Sequence, residues 1–388
     1  MSTPPESLRI RPRPRSWTAA AVRPSLTALV AVLVAASLVA AIAGGLLRAG
    51  VGTELLQIGE LATRALVAHA ALMLSAFLGT AISIERAVAL KARWSYLAPI
   101  ASGVSGLMIL GGAPEASGWI AVGAALLFIA VNVALLWRQW AAHSVLLLLG
   151  SLAWLAGNLH FALGQRDISP VTWWFAFVIL TIAAERLEMT RLMRRQRAAA
   201  PLLHIIVMAL LLGAALSPST PRAGGALFGI ALLALSAWLM RFDIARRTVH
   251  AHGLSRYMAV CLLAGYAWLG LAGVAWVDMS LGGPGRDRAF HGLGLGFIVS
   301  MIMGHALVIL PAVARVKLRF GPWFYAPVVL LHGSLLLRLA GGAIAPELLS
   351  IGAAANAVAI AAFALTLIAS ALSHSGSRSP PHHPIEAP

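Results

Sequence analysis

LTALVAVLVAASLVAAIAGGLL, residues 26–47, runs for 22 positions without a charge. As a helix rising 1.5 Å per residue it reaches about 33 Å, the thickness of a bilayer's hydrocarbon core. Arg9, Arg11, Arg13, Arg15 and Arg23 precede it, and small residues such as Ala43 and Gly44 lie near its end, so it has the outline of a secretory signal. Its apolar stretch is longer than a signal's core of roughly 7–15 residues, and it reads as an uncleaved anchor. Comparable runs recur along the chain, at 65–84, 97–113, 118–137, 143–164, 170–187, 202–217, 223–240, 257–278, 288–312, 322–341 and 347–372. Twelve helical spans are therefore predicted, with short connections and no room for a water-soluble domain.

Composition agrees: 60% of the 388 residues are hydrophobic and 11% are charged. The fold class predicted is an all-α polytopic membrane protein. It divides into a basic leader over 1–25, a twelve-helix domain over 26–372 and a disordered tail over 373–388, where His374, His382 and His383 read as solvated. In a soluble protein a net charge of +16 would suggest nucleic acid, but here the placement of charge decides. Only seven of the 29 basic residues, Arg48, Arg64, Arg166, Arg222, Arg286, Arg288 and Arg338, fall at one face. The others cluster in alternate loops, which puts both termini in the cytoplasm and requires an even number of spans. The single cysteine, Cys261, excludes an internal disulfide and a cysteine-ligated cluster. The membrane itself is the one partner that composition names, and nucleic acid is not expected.

Five histidines lie within the apolar helices: His69, His160, His291, His305 and His332. An ionisable residue in the membrane is costly and marks a functional site by default. His69 and His160 lie about 6 Å below the outer face and His291 about 5 Å, counted from the ends of their apolar runs. His305 follows His291 by about 21 Å along the axis and about 40° around it in a regular helix, so both are expected to face the same space. His332 falls near the membrane middle on the next helix. Around His291 the sequence Arg286-Asp287-Arg288-Ala289-Phe290-His291-Gly292-Leu293-Gly294-Leu295-Gly296 joins a basic loop to a histidine and closely spaced glycines. Glycines let a neighbouring helix, or a planar ring, approach the backbone. Imidazole for iron, an apolar slot for the macrocycle and Arg286 or Arg288 for propionates make haem the cofactor that uses the whole set.

The segments His69-Ala70-Ala71-Leu72-Met73-Leu74-Ser75-Ala76-Phe77-Leu78-Gly79-Thr80 and Arg286 through His305 resemble the second and tenth spans of the NnrS family. Those are haem-containing, twelve-span bacterial membrane proteins linked to nitric oxide stress, similar in fold to the catalytic subunit of haem–copper oxidases. The resemblance implies a bacterial inner-membrane protein with haem b on His69 and His291, His160 as an alternate, and nitric oxide or a respiratory electron donor as partner. It departs from that family where Ala71 and Leu72 replace a histidine and a glutamate. If copper is also bound, His305 and His332 are the candidates, since imidazole suits both metals. Helix 6 carries no histidine, helix 7 only His204, and helix 10 no His-x-His pair, so an oxygen-reducing binuclear centre, and with it an enzyme, is not expected.

A weak internal echo, Ile84-Glu85-Arg86 closing helix 2 and Glu185-Arg186 closing helix 6 after Ile182, fits three blocks of four helices with 2, 6 and 10 equivalent. The pair His250 and His252 reads as an exposed loop, and Trp119, Trp173, Trp174, Trp276 and Trp323 as interfacial belts. Two alternatives remain. A twelve-span secondary transporter would show two related halves and embedded carboxylates, both scarce here. A cofactor-free assembly factor for a respiratory complex would be colourless.

Overall fold

The computed structural model describes residues 24–52, 59–165, 168–189 and 198–375. The basic leader, the four arginines after helix 6, Arg166, Arg378, His382 and His383 lie outside the described residues. The described residues are helical, without a strand. The helices are α1 (Pro24–Arg48), α2 (Glu60–Val67), α3 (Leu78–Leu90), α4 (Leu97–Leu110), α5 (Pro114–Arg138), α6 (Ala142–Ala162), α7 (Ser169–Met189), α8 (Ala199–Leu216) and α9 (Pro221–Phe242). After them come the single turn α10 (Ala245–Thr248), then α11 (Gly253–Ser280), α12 (Arg286–His291), α13 (Ser300–Ala314), α14 (Tyr325–Leu339) and α15 (Pro346–Ser375). Eleven helical stretches among the described residues are long and apolar enough to cross a bilayer. The chain is an all-α, multi-pass membrane protein.

The expected span at 97–113 is the exception, because α4 has only 14 residues, about 21 Å. It still runs from one face to the other. Arg138 at the end of α5 donates to Leu90 O at the end of α3 (3.0 Å), and Arg64 on α2 donates to Leu110 O at the far end of α4 (3.0 Å). The alternation of loops survives this short helix. At the C-terminus α15 continues to Ser375, so residues 373–375 belong to the helix and not to the tail.

Two spans are not regular. Between α2 and α3 lies a π-helical segment, Ala71–Phe77, and between α12 and α13 lies another, Gly292–Val299. Such segments leave backbone carbonyls short of partners, and hydroxyls supply them. Thr80 donates to Ala76 O (2.6 Å), Ser102 to Ser75 O (3.1 Å), and Ser300 to Gly296 O (2.6 Å). A buried network fixes the first segment from the side: Ser75 Oγ and Trp174 Nε1 both donate to Asn158 Oδ1 (2.8 Å each), and Trp154 Nε1 donates to Ser75 Oγ (3.1 Å).

The three helices expected to be equivalent meet one another. Helix 2 of the twelve spans (α2 to α3) and helix 10 (α12 to α13) meet through His69 and His291, helices 2 and 6 (α7) through Arg86 and Glu185 (3.6 Å), and helices 6 and 10 through Arg186 and His305 (2.8 Å). They form the centre of the bundle, with Trp154, Phe177 and Phe128 packed beside it.

Candidate functional site

His69 sits just before the first π segment, and His291 ends α12 directly before the second. Their rings face each other with centroids 6.4 Å apart and planes 21° from parallel. His69 Nδ1 donates to Ala41 O on α1 (2.7 Å), which leaves Nε2 as its lone-pair nitrogen. His291 Nδ1 donates to the Asp287 carboxylate one turn earlier (2.9 Å) and lies 3.2 Å from Asp287 O. Asp287 is in turn gripped by Arg338 of α14, through Nε (3.1 Å) and Nη2 (2.8 Å). A carboxylate behind a histidine, fixing its tautomer and orientation, is the usual support of a metal-binding imidazole.

The separation is informative. An imidazole nitrogen binds a metal at about 2.0–2.1 Å and lies roughly 1.1 Å from its ring centre, so two imidazoles on opposite sides of one metal hold their centres about 6.3 Å apart. Two rings in direct N–H···N contact along the line of centres would sit about 1 Å closer. The 6.4 Å between the His69 and His291 ring centres matches that separation.

Below the pair opens a slot with a cavity volume of about 130 Å³, apolar except for His69, His291, Arg338 and Asn356. Its walls on helix 2 are His69, Ala70, Met73, Leu74, Phe77 and Leu78, and on helix 10 Phe290, His291, Gly294, Leu295, Ile298, Val299 and Ile302. On both helices the lining recurs every four residues, whereas a 3.6-residue helix would drift about 40° per repeat. The wider π turns hold the lining in register with the cavity. Gly294 has nothing within 4 Å of where its Cβ would stand, so it faces open slot. Gly292 and Gly296 face α11 instead: a Cβ on Gly292 would meet Ala272 at 3.4 Å and one on Gly296 would meet Trp268 at 2.5 Å. The glycine cluster thus admits α11 at two positions and leaves the slot open at a third. Gly45 of α1 backs His69, with its absent Cβ 2.7 Å from Cε1 of the ring.

Above the pair lies a wider, polar cavity lined by Arg48, Arg64, Arg286, Arg338, Asp287 and Gln165. Arg286 stacks its guanidinium over Phe290 at 5.6 Å. Arg64 is bound to Glu60 and to Leu110 O. Arg338 is committed to Asp287, which leaves Arg48 and Arg286 as the cations best placed to meet an anionic edge.

Residues 26–372 match the family described as a domain of unknown function, DUF8744. The chain belongs to DUF8744. No curated protein and no solved structure matches it. The DUF8744 region contains both histidines, both π segments and all four cavity arginines.

The remaining candidates fall elsewhere. His160 has the expected depth, but its Nδ1 is bound to Gln165 at the surface and the ring is not part of either cavity wall. Arg288 turns to Asp278 (3.7 Å) and leaves the cavity to Arg286. His305 was expected to look into the same space as His291, and it does not. Each extra residue accommodated by a π turn sets the following helix back about 100°, which moves His305 from about 40° to about 140° away from His291. Both of its nitrogens are engaged, Nδ1 donating to Met301 O (2.7 Å) and Nε2 accepting from Arg186 (2.8 Å). His332 accepts from Trp268 Nε1 (3.0 Å). His305 and His332 share no partner, and among the described residues no group of three or more His, Cys, Asp or Glu converges as a metal site. Sequence reading passed over Asp287 and Arg338 as site residues, although Asp287 stands four residues before His291 on one helix face, which is a readable signal.

Proposed function

We propose that this chain is a haem-binding electron-transfer protein of a bacterial inner membrane, with its basic loops in the cytoplasm and haem b held between His69 and His291. The observation that carries the reading is the facing pair of imidazoles, tethered through Nδ1, at a metal-spanning distance above an apolar slot. His69 and His291 would hold the iron through their ring nitrogens, the slot would receive the flat apolar ring, and Arg48 and Arg286 would meet the propionates in the outer cavity. A bound haem would supply one-electron chemistry, with both imidazoles committed to holding it. The resemblance to NnrS points to the same cofactor. On this reading a respiratory electron donor is the natural partner.

The chain's own residues set the properties of the site. Arg338 holds Asp287, Asp287 orients His291 and keeps its proton on Nδ1, and the Ala41 carbonyl does the same for His69. Phe77, Phe290 and Phe175, with Ile298 and Ile302, give the slot its apolar walls. The test is the reduced-minus-oxidised visible spectrum of purified protein beside His69→Ala and His291→Ala. A haem b spectrum lost in either variant supports the reading. A folded, colourless protein made with haem supplied refutes it and leaves the transporter or assembly-factor alternatives.

A further inference from the structure

At the opposite end of the bundle from the histidine pair, α7, α11, α13 and the turn after α9 converge on a second group of buried polar side chains. Arg186 of α7 donates through Nη2 to His305 Nε2 (2.8 Å). Its Nη1 stands 4.0 Å from Asp243 Oδ2, beyond hydrogen-bond reach. Asp243 accepts from Ala245 N at Oδ1 (2.7 Å), and the Tyr266 hydroxyl faces both Asp243 and Arg186. Three polar atoms here are buried without a hydrogen-bond partner: Arg186 Nε, Asp243 Oδ2 and Tyr266 Oη. The Arg186 and Asp243 side chains are 7% and 1% exposed, and Tyr266 is fully buried.

The chemistry of those three atoms names the ligand. A cation is repelled by the guanidinium and an anion by the carboxylate. Water accepts from the Arg186 N–H and the Tyr266 O–H while donating to Asp243 Oδ2, which satisfies all three at once. A polar gap of 4.0 Å is the kind that an ordered water bridges. The other charged groups nearby are occupied with one another: Arg86 of α3 binds Glu85 (2.7 Å) and Glu185 (3.6 Å).

We propose that Arg186, Asp243, Tyr266 and His305 form a hydrated proton-holding site, in which one water bridges the three unpartnered atoms and Asp243 takes up and releases the proton. The step balances simply: a proton passes from bulk water through the bound water to Asp243 Oδ2, and no other bond changes. Asp243 lies at the end of α9, directly before the turn that carries the exposed Arg246, so the site stands next to the aqueous boundary. Burial pushes its carboxyl above the ordinary value, against the pull of the Arg186 guanidinium. The proposal is independent of haem.

The experiment is an infrared titration of the full chain in lipid nanodiscs, in H2O and D2O, across about pH 4 to 9. Wild type is expected to show a protonated-carboxyl C=O band that titrates. The band is lost in Asp243→Asn, shifts in Tyr266→Phe, which keeps the carboxyl and removes only the facing hydroxyl, and persists in Glu185→Gln. A band that survives Asp243→Asn, disappears with Glu185→Gln, or is unmoved by Tyr266→Phe overturns the proposal. If Asp243→Asn does not fold, Tyr266→Phe and Glu185→Gln decide by the same criteria.

Discussion

Asp287→Ala separates support of the site from support of the fold. The carboxylate receives Arg338 at 2.8 and 3.1 Å and His291 at 2.9 Å. Its removal strands the Arg338 guanidinium, which is 9% exposed, and frees the His291 ring to rotate. Breaking one side of a buried ion pair costs about 3–5 kcal/mol. Asp287 is itself 35% exposed, so solvent screens part of the interaction and the lower end, about 3 kcal/mol, applies. Loss of a second-layer partner separately weakens metal binding by about 10–100-fold. Replacing both partners, Asp287→Ala with Arg338→Met, removes the stranded charge but does not restore the brace behind His291. Thermal denaturation in nanodiscs and haem titration of the haem-free protein read the two effects apart. Asp287→Ala is expected to lose both stability and haem affinity, and the double variant to regain stability alone. Haem affinity unchanged in Asp287→Ala, or restored in the double variant, would refute the role assigned to Asp287.

Three further outcomes follow from the same geometry. Gly45→Ala drives a Cβ into the His69 ring and is expected to displace it and lower haem occupancy, whereas Gly294→Ala, which enters open slot, leaves occupancy unchanged and Gly294→Trp abolishes it; the visible spectrum of each variant is the check. Ser75→Ala leaves the Trp154 N–H without its acceptor and withdraws one donor from Asn158; at about 1–3 kcal/mol for a buried unsatisfied group it is expected to lower the denaturation temperature clearly. Asp243 has its carboxyl raised by burial, so its contribution to stability is present below the ordinary value of 3.8 and fades as pH rises through the higher folded value. Asp243→Asn should therefore flatten the loss of stability between 3.8 and the folded value, and parallel wild-type and variant curves of denaturation temperature against pH would contradict this.

The all-helical class, the alternation of loops and the shared level of His69 and His291 were legible in the chain because apolar run length and charge placement act locally. The orientation of side chains around each axis was not. Seven or eight apolar residues such as Ala71–Phe77 or Gly292–Val299 read the same whether they wind as α or π, yet the difference turns His305 from the cavity to Arg186. Depth alone placed His160 at the right level and said nothing of its direction toward Gln165. Arg338 meets Asp287 from 51 residues away, a separation that no local pattern spans. The short α4 was hidden because Gly111 and Gly112 extend an apolar run without extending the helix.

The most direct test is the electron paramagnetic resonance spectrum of the oxidised, purified protein. Two imidazoles held 21° from parallel on one iron predict a rhombic low-spin ferric signal that His69→Ala and His291→Ala each convert to high spin. A wild-type haem that is already high-spin, or a low-spin signal that survives both substitutions, would contradict the site.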